Sequence, residues 1–158
     1  KVLAMLPALR QAIDAFTSAR QQVFYICFAL RAEDEQFKRF GDRYCIEGTE
    51  GAQIIPELMP LKGPIIYKRK HSAFFETKLD QLLREVGTVE VYLAGLQTHI
   101  CIMTTAADAS FRGYRTVAIQ ECVLSSDENN KIKALEGIAA YVGEVKSMEQ
   151  VTEELSDG

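Results

Sequence analysis

The stretch VYLAGLQTHICIMTTAADASFRGYRTVAIQ, from Val91 to Gln120, has the pattern of a strand, a helix and a second strand. An apolar run ends at Gly95, and after a short polar turn the spacing of apolar and small residues becomes helical at Cys101. Gly113 then stands where a helix often closes on a residue with positive φ. A second β-branched run completes the stretch. This order predicts two parallel strands joined by a helix.

Cys101 is the residue in this stretch with the most reactive side chain. It is predicted to lie at a helix start, where the helix dipole and unpaired backbone N–H groups stabilise a thiolate. It also follows the carboxyl end of a parallel strand, where open α/β sheets bind their ligands. A free cysteine is more often a small buried apolar residue. Position alone therefore leaves open both a packed thiol and a reactive thiol.

The sequence motifs around this cysteine resemble those of a known family. GLQTHIC followed by TAADASFRGYR closely resembles the nucleophile segment of the isochorismatase-like cysteine hydrolases, a family that includes nicotinamidases, carbamoyl-amide hydrolases and isochorismatases. The resemblance implies that Cys101 is the nucleophile. It also implies a cis peptide bond between Leu96 and Gln97, in a turn whose backbone N–H groups, with those at the helix start, hold an oxyanion.

The rest of the chain alternates strand and helix patterns. Apolar runs predict a central buried strand over Val23–Leu30 and another over Ile65–Lys68, and an amphipathic helix follows over Leu79–Val86 with Thr77 and Asp80 placed to cap it. Helical patterns also open the chain, precede Gly143 and end the acidic tail. The sequence predicts one α/β domain over residues 1–158, with helices on both faces of a mainly parallel sheet in a three-layer α/β/α arrangement. The resemblance implies that this arrangement is the isochorismatase-like hydrolase fold.

The segment IIYKRKHSAFF supplies the second candidate catalytic residue, Lys68. A lysine at a strand end often extends its ammonium group to solvent, and taken alone that interpretation is favoured. However, IIYK followed by an aromatic-rich loop and a T-x-LD-x-LLR helix resembles the lysine segment of the same family. An ammonium group near a thiol stabilises the thiolate and developing negative charge on a substrate. His71, Phe74 and Phe75 are candidate walls of the substrate pocket, but for the two phenylalanines packing in the core is an equally good interpretation.

The resemblance implies a third catalytic residue, an Asp on an apolar strand near the N-terminus that acts as general base and acid. Asp14 lies within the opening helix and does not fit this role. The first strand of the fold therefore has no counterpart in the sequence. We expect that strand to precede Lys1, because an internal parallel strand cannot be deleted without exposing its neighbours. If no such strand exists, the chain is a degenerate relative of the family.

Histidine positions argue against a metal-dependent nicotinamidase. The family's metal-binding members carry histidines after the second strand of the fold, but here the polar connection from Arg31 to Glu50 contains none. His71 and His99 are the only histidines in the sequence, and isolated histidines are more often ordinary polar residues than ligands. The family often has an aromatic residue where His71 stands. We expect no metal and no cofactor.

Composition sets the class of partner. The 158 residues carry a net charge of −4 without a basic patch, which argues against nucleic acid and favours a small-molecule substrate. No apolar run is long enough to span a membrane, and no signal-peptide pattern is present. Four scattered cysteines form neither a zinc motif nor a disulfide scaffold. We expect a cytoplasmic protein that forms a homodimer or a higher homo-oligomer.

These observations predict a cysteine hydrolase that cleaves a C–N bond, amide or carbamoyl, through a thioester on Cys101. Retention of the cysteine favours this reaction over isochorismatase-type vinyl-ether hydrolysis, which needs no thiol. The sequence also leaves open a noncatalytic relative that serves as a binding or assembly module, and a thiol redox protein. The redox interpretation is weakened because no resolving cysteine lies near Cys101 in the sequence.

Overall fold

The computed structural model describes residues 1–31, 33–40 and 45–157. The helices are α1 (Val2–Ser18), α2 (Glu35–Phe40), α3 (Leu79–Glu85), α4 (Met103–Phe111), α5 (Glu128–Tyr141) and α6 (Met148–Asp157). The strands are β1 (Tyr25–Phe28), β2 (Ile65–Lys68), β3 (Glu90–Leu96), β4 (Arg115–Leu124) and β5 (Glu144–Lys146). Short 3-10 turns cover Glu50–Ala52 and Pro56–Leu58. The predicted alternation of strands and helices is confirmed.

All strand pairs in the described chain are parallel, but they form two sheets. One sheet pairs β1 with β2, so that Phe28 lies opposite Lys68. The other has the order β3, β4, β5, with a register shift between Leu93 and Gly95. The sequence predicted one sheet with the Val23–Leu30 strand at its centre. Instead, β1 is hydrogen-bonded to a strand on one edge only, because no described strand lies between β1 and β3.

The two faces of β4 show why the domain has three layers. Ile119 packs on one face with residues of α1 and α6, whereas Ala118 and Val123 pack on the other face with residues of α4 and α5. All three side chains are at most 2% exposed. A strand buried on both faces is rich in apolar residues, as residues 117–119 and 122–124 of β4 are, although the exposed Gln120 and Glu121 interrupt the run. The predicted α/β fold with helices on both sides is therefore confirmed.

A large cavity lies between the two sheets. It has a volume of about 1030 Å³, and residues of both β1 and β3 line it, together with apolar side chains of α1 and α3. The edge of β1 that does not bond β2 and the edge of β3 that does not bond β4 have no strand partner in the described chain. The cavity is the main departure from a continuous sheet.

Smaller differences from the predictions have local causes. Thr77 accepts a hydrogen bond from the Leu79 N–H group at 3.2 Å, but Asp80 bonds Arg84 and Tyr114 instead of completing a helix cap. The predicted connection from Arg31 to Glu50 contains the short helix α2, and its residues 32 and 41–44 lie outside the described residues. Within the described chain, the helices are too short or too polar to cross a lipid bilayer.

Candidate functional site

Cys101 lies in a turn of π-helix that connects β3 to α4. The turn covers Thr98–Ile102, and the Ile102 N–H group donates to the Gln97 carbonyl oxygen at 3.2 Å, five residues back. The sequence predicted an α-helix from Cys101, whereas α4 begins two residues later. The peptide bond between Leu96 and Gln97 is cis, at the position that the resemblance implied. The thiol is partly exposed at the carboxyl end of β3.

Lys68 is the last residue of β2 and is only 5% exposed. Its Nζ donates to the His71 carbonyl oxygen and lies 5.6 Å from the centre of the Phe28 ring. Burial lowers the pKa of Lys68, while the charge of an ionised Cys101 and a side-chain hydrogen bond to it act in the opposite direction. The ammonium group is therefore buried and does not extend to solvent, so the interpretation of Lys68 as a solvent-directed lysine is wrong.

His71 joins these two residues. Its Nδ1 lies 3.8 Å from Cys101 Sγ, and its ring stacks on Phe28 with 6.1 Å between ring centres. Burial lowers the pKa of His71, and the positive charges of Lys68 and Lys70 lower it further. The imidazole is therefore held in its neutral form near neutral pH. Of the three predicted pocket residues, His71 is the one that the structure places against the thiol.

Two hydrogen bonds fasten the lysine loop to α4. Ser72 donates to Asp108 Oδ2 at 2.6 Å, and the Ala73 N–H group donates to Thr105 Oγ1 at 3.1 Å. Thr105 and Asp108 follow Cys101 by four and seven residues, a spacing that places side chains on one helix face. The face of α4 that continues from the nucleophile thus holds the loop that carries His71.

The other predicted pocket residues lie in different surroundings. Phe74 is 4% exposed and belongs to a core cluster, where it stacks on Tyr114 with 5.9 Å between ring centres. Its side chain also lines the cavity between the sheets. Phe75 is 47% exposed. For Phe74, core packing is the better interpretation, because its ring contacts core side chains.

The second histidine of the sequence, His99, bonds Ser125 Oγ through Nδ1 at 3.0 Å.

Phe28 is a site residue that the sequence analysis missed. Its ring contacts both His71 and Lys68, yet in the sequence it is only one residue of the apolar run VFYICFAL. The signal that could have identified it is its place near the end of that run. The carboxyl ends of neighbouring parallel strands meet at one edge of a sheet, so the last residues of β1 and β2 had to lie side by side.

An ion pair lies beside the lysine segment. Asp34 accepts hydrogen bonds from the Arg69 side chain, with Arg69 Nε at 3.0 Å, and from the Arg31 N–H group at 2.8 Å. The Arg69 guanidinium lowers the pKa of Asp34 to about 2, so this carboxylate stays ionised at neutral pH. The pair links the start of the long connection to the end of β2. A carboxylate so occupied is poorly suited to act as a general base.

The site is built from a thiol, an ammonium group, a neutral imidazole and the backbone N–H groups of a turn. This set suits attack of sulfur on a carbonyl carbon. Among the described residues no group of three or more His, Cys, Asp or Glu side chains is arranged to hold a metal ion.

The chain is similar in sequence and in structure to known proteins. A family model described as an isochorismatase domain matches residues 1–150. An uncharacterised isochorismatase family protein of Bacillus subtilis is 34% identical over 137 residues, which cover 75% of this chain and 72% of the relative. Maleamate amidohydrolase of Pseudomonas putida is 32% identical over 111 residues, 70% of this chain but only 52% of the amidohydrolase. The crystal structure of N-carbamoylsarcosine amidase from Thermoplasma acidophilum matches with a TM-score of 0.84 and 29% identity, over 93% of this chain and 84% of that one.

Proposed function

Because the chain belongs to the isochorismatase family, we propose that it is a cysteine hydrolase that cleaves a C–N bond, amide or carbamoyl, of a small molecule. The observation that carries the proposal is the burial of Lys68 beside Cys101 at the carboxyl ends of β2 and β3. A buried ammonium group is costly to keep unless it has an anionic partner. A thiolate on Cys101, and then the oxyanion of an intermediate, supply that partner.

The reaction begins when Cys101 Sγ attacks the carbonyl carbon of the amide or carbamoyl group. The electron pair of the C=O bond moves to oxygen, and this oxyanion is stabilised by Lys68 and by N–H groups of the turn before α4. The proton lost by the Cys101 thiol is transferred to the nitrogen, and collapse of the intermediate then breaks the C–N bond, releases ammonia or an amine and leaves a thioester on Cys101. Attack of water on the thioester then releases the acid and restores the thiol.

Relatives with related activities support the choice of bond. One relative is a maleamate amidohydrolase and one structural neighbour is an N-carbamoylsarcosine amidase. Both names describe hydrolysis at nitrogen next to a carbonyl group. A thiol nucleophile suits this bond because a thioester is a reactive intermediate that water hydrolyses readily. We therefore propose a small amide or ureide as substrate.

The test is ammonia release from a panel of small amides and ureides. For a substrate that the parent protein hydrolyses, we expect Cys101→Ala to abolish turnover. Lys68→Met preserves most of the side-chain volume and removes the charge, so turnover should fall by about 10²–10³. Lys133→Met, on the exposed side of α5, is the matched control and should turn over like the parent.

Intact mass after rapid acid quenching gives a second readout. The acyl group should add to the peptide that contains Cys101 and be absent from Cys101→Ala. Near-parental turnover of Lys68→Met would remove Lys68 from the mechanism. Absence of ammonia release across the whole panel, with hydrolysis of a vinyl ether instead, would replace the proposed reaction with the isochorismatase type.

A further inference from the structure

We propose that Lys70 selects the substrate of this site by binding a carboxylate that the substrate carries in addition to its amide or carbamoyl group. The inference rests on the proposed function, because it names the class of substrate for the same reaction. It starts from the run of three cations at residues 68–70, which begins at the last residue of β2. Two of these cations have partners in the described chain, and the third lies beside the thiol without one.

The first two cations of the run are matched by other groups. Lys68 is buried, and an ionised Cys101 bonds its ammonium group. Arg69 forms an ion pair with Asp34, in which Arg69 Nε donates to Asp34 Oδ2 at 3.0 Å. Neither cation is therefore available to hold a charged group at the far end of a substrate.

Lys70 is the cation that the described residues leave unmatched. Its side chain is partly buried, and it forms no ion pair and no hydrogen bond with the part of the chain that the structure describes. Its charge acts on Asp34, but both oxygens of that carboxylate are occupied, Oδ1 by Arg69 and Oδ2 by Arg69 and the Arg31 N–H group. The ammonium group of Lys70 thus keeps its donors for a bound molecule.

The loop geometry places Lys70 next to the thiol. The bond from Lys68 Nζ to the His71 carbonyl oxygen closes the loop, so that residues 69 and 70 form its turn. On one side of Lys70, Arg69 is anchored by its ion pair. On the other side, His71 Nδ1 lies 3.8 Å from Cys101 Sγ. Because both neighbours are held, the backbone of Lys70 has a fixed position beside the site.

The electrostatics of the site favour an anionic ligand. The charges that lower the pKa of His71 belong to Lys68 and Lys70, and both are positive. This local excess stands in a chain whose net charge is −4. A thiolate on Cys101 offsets one of the two positive charges, and the other remains. Such a site attracts a substrate that carries a carboxylate and repels one that carries an ammonium group.

A second point of attachment also orients the substrate. With its carbonyl carbon at Cys101 Sγ and its carboxylate at Lys70 Nζ, an amide is held at both ends, which favours the geometry of attack. The carboxylate takes no part in the making or breaking of bonds, so Lys70 binds and selects without entering the chemistry. The favoured class is a small carboxylic acid that also bears an amide or ureide group, such as succinamate.

An ordinary lysine that is merely solvated is the competing explanation, and substrate pairs distinguish the two. Succinamate and glutaramate are compared with their diamides, succinamide and glutaramide, which have the same carbon skeletons and no carboxylate. The measured quantity is the ratio of kcat/KM for each acid to kcat/KM for its diamide. In the parent we expect the acid to be preferred.

Lys70→Gln should lower this ratio by about 10–100-fold, mainly through a higher KM for the acid, because the lost contact binds a part of the substrate that does not react. Lys70→Arg keeps the charge and should retain most of the preference. Lys133→Gln, on the exposed side of α5, is the matched control and should keep the parental ratio. A merely structural effect would lower kcat/KM for both members of a pair alike and leave the ratio unchanged.

Alkylation of Cys101 gives a readout that needs no turnover. Iodoacetate and iodoacetamide modify the same thiol but only iodoacetate carries a carboxylate, so the ratio of their rates measures attraction of a carboxylate to the site. Peptide mass mapping restricts the measurement to Cys101. We expect the rate ratio to fall by about 3–10-fold in Lys70→Gln and to stay near the parental value in Lys70→Arg and Lys133→Gln.

The two readouts separate the failure of this inference from the failure of the proposed function. If the parent releases ammonia from the amides without preferring the acids, or if Lys70→Gln keeps the parental ratio, the inference about Lys70 is wrong and the proposed function stands. If the parent hydrolyses no amide or ureide, the proposed function fails and alkylation decides. An unchanged rate ratio in Lys70→Gln then contradicts carboxylate binding by Lys70, and a lowered ratio supports it.

Discussion

The four cysteines lie in different surroundings. Cys27 and Cys122 are buried in β1 and β4, at 5% and 0% exposure, whereas Cys45 and Cys101 are partly exposed. Burial raises the pKa of Cys27 and raises that of Cys122 to about 11. Cys122 is fully buried although it lies near the end of its strand, because β4 continues to Leu124 and Cys122 packs with Met148 and Val151 of α6.

We therefore predict that a small alkylating reagent modifies Cys101 first and leaves Cys27 and Cys122 unmodified in native protein. The physical reason is that a buried thiol both excludes the reagent and disfavours its reactive thiolate. Limited alkylation at neutral pH and peptide mass mapping measure the order. Inactivation should follow modification of Cys101 one for one.

Denatured protein is the control, since all four thiols should then react at similar rates. Labelling of Cys45 before any labelling of Cys101 would identify Cys101 as a packed thiol and would contradict its assignment as nucleophile.

At the scale of elements, one of the two hydrogen bonds that fasten the lysine loop to α4 can be tested through Ser72. Ser72 is 6% exposed and donates to the Asp108 carboxylate. We predict that Ser72→Ala lowers the free energy of unfolding by about 1–3 kcal/mol, because it leaves a charged acceptor with one partner fewer. It should also lower kcat/KM, since the loop carries His71 and follows Lys68. Chemical denaturation and steady-state kinetics measure the two effects.

Ser156→Ala on the exposed side of α6 is the matched control. It removes a hydroxyl that bonds the helix's own backbone, and we expect a change within about 0.5 kcal/mol. A fully stable and fully active Ser72→Ala variant would show that Thr105 holds the loop without Ser72.

Two glycines near the end of α5 differ in the space around them. A Cβ atom on Gly143 would lie 2.2 Å from the Thr116 carbonyl oxygen, whereas nothing lies within 4 Å of a Cβ atom on Gly137. We predict that Gly143→Ala lowers the free energy of unfolding by about 1–3 kcal/mol, because β5 must move away from β4. Gly137→Ala should raise it by about 0.5–1 kcal/mol, since alanine is the better helix former.

Thermal and denaturant unfolding of both variants measure these changes. Equal stability of the two variants would mean that the turn before β5 relaxes without cost.

At the scale of the whole molecule, the cavity between β1 and β3 has a consequence for hydrogen exchange. The N–H groups of Tyr25 and Ala29 donate to Pro64 and Lys68 beside β2, both at 2.9 Å. Alternate residues of a strand direct their N–H groups to opposite edges, so those of Ile26 and Phe28 face the other edge, towards β3. We predict fast exchange at Ile26 and Phe28 and slow exchange at Ala29 in a protein of residues 1–158.

A comparison protein with an apolar strand and a turn fused before Lys1 tests the expected further strand, which stays a prediction. If that strand pairs with β1 and β3, exchange at Ile26 and Phe28 should slow and the unfolding temperature should rise. Unchanged exchange at these two amides would contradict the expectation that a strand occupies the cavity.

The sequence by itself determined the local elements and indicated Cys101 and Lys68 as the two principal candidate site residues. The apolar run that ends at Gly95, the helical spacing from Cys101 and the positive φ at Gly113 are properties of neighbouring residues, so the strand and helix on either side of Cys101 were predictable. Lys68 became a candidate because IIYK and the residues that follow it resemble the lysine segment of the family. The position of the cis peptide bond was also implied by the resemblance in GLQTHIC.

The tertiary structure alone decided what surrounds the thiol. The contacts of His71 with Cys101 and of Phe28 with His71 join residues 30 and 43 positions apart, and no periodicity in the sequence records such distances. The same holds for the close approach of Gly143 to Thr116 and for the division into two sheets. Local patterns record which side of its own helix or strand each residue faces. A site depends on which elements meet, and the packing of the whole chain decides that.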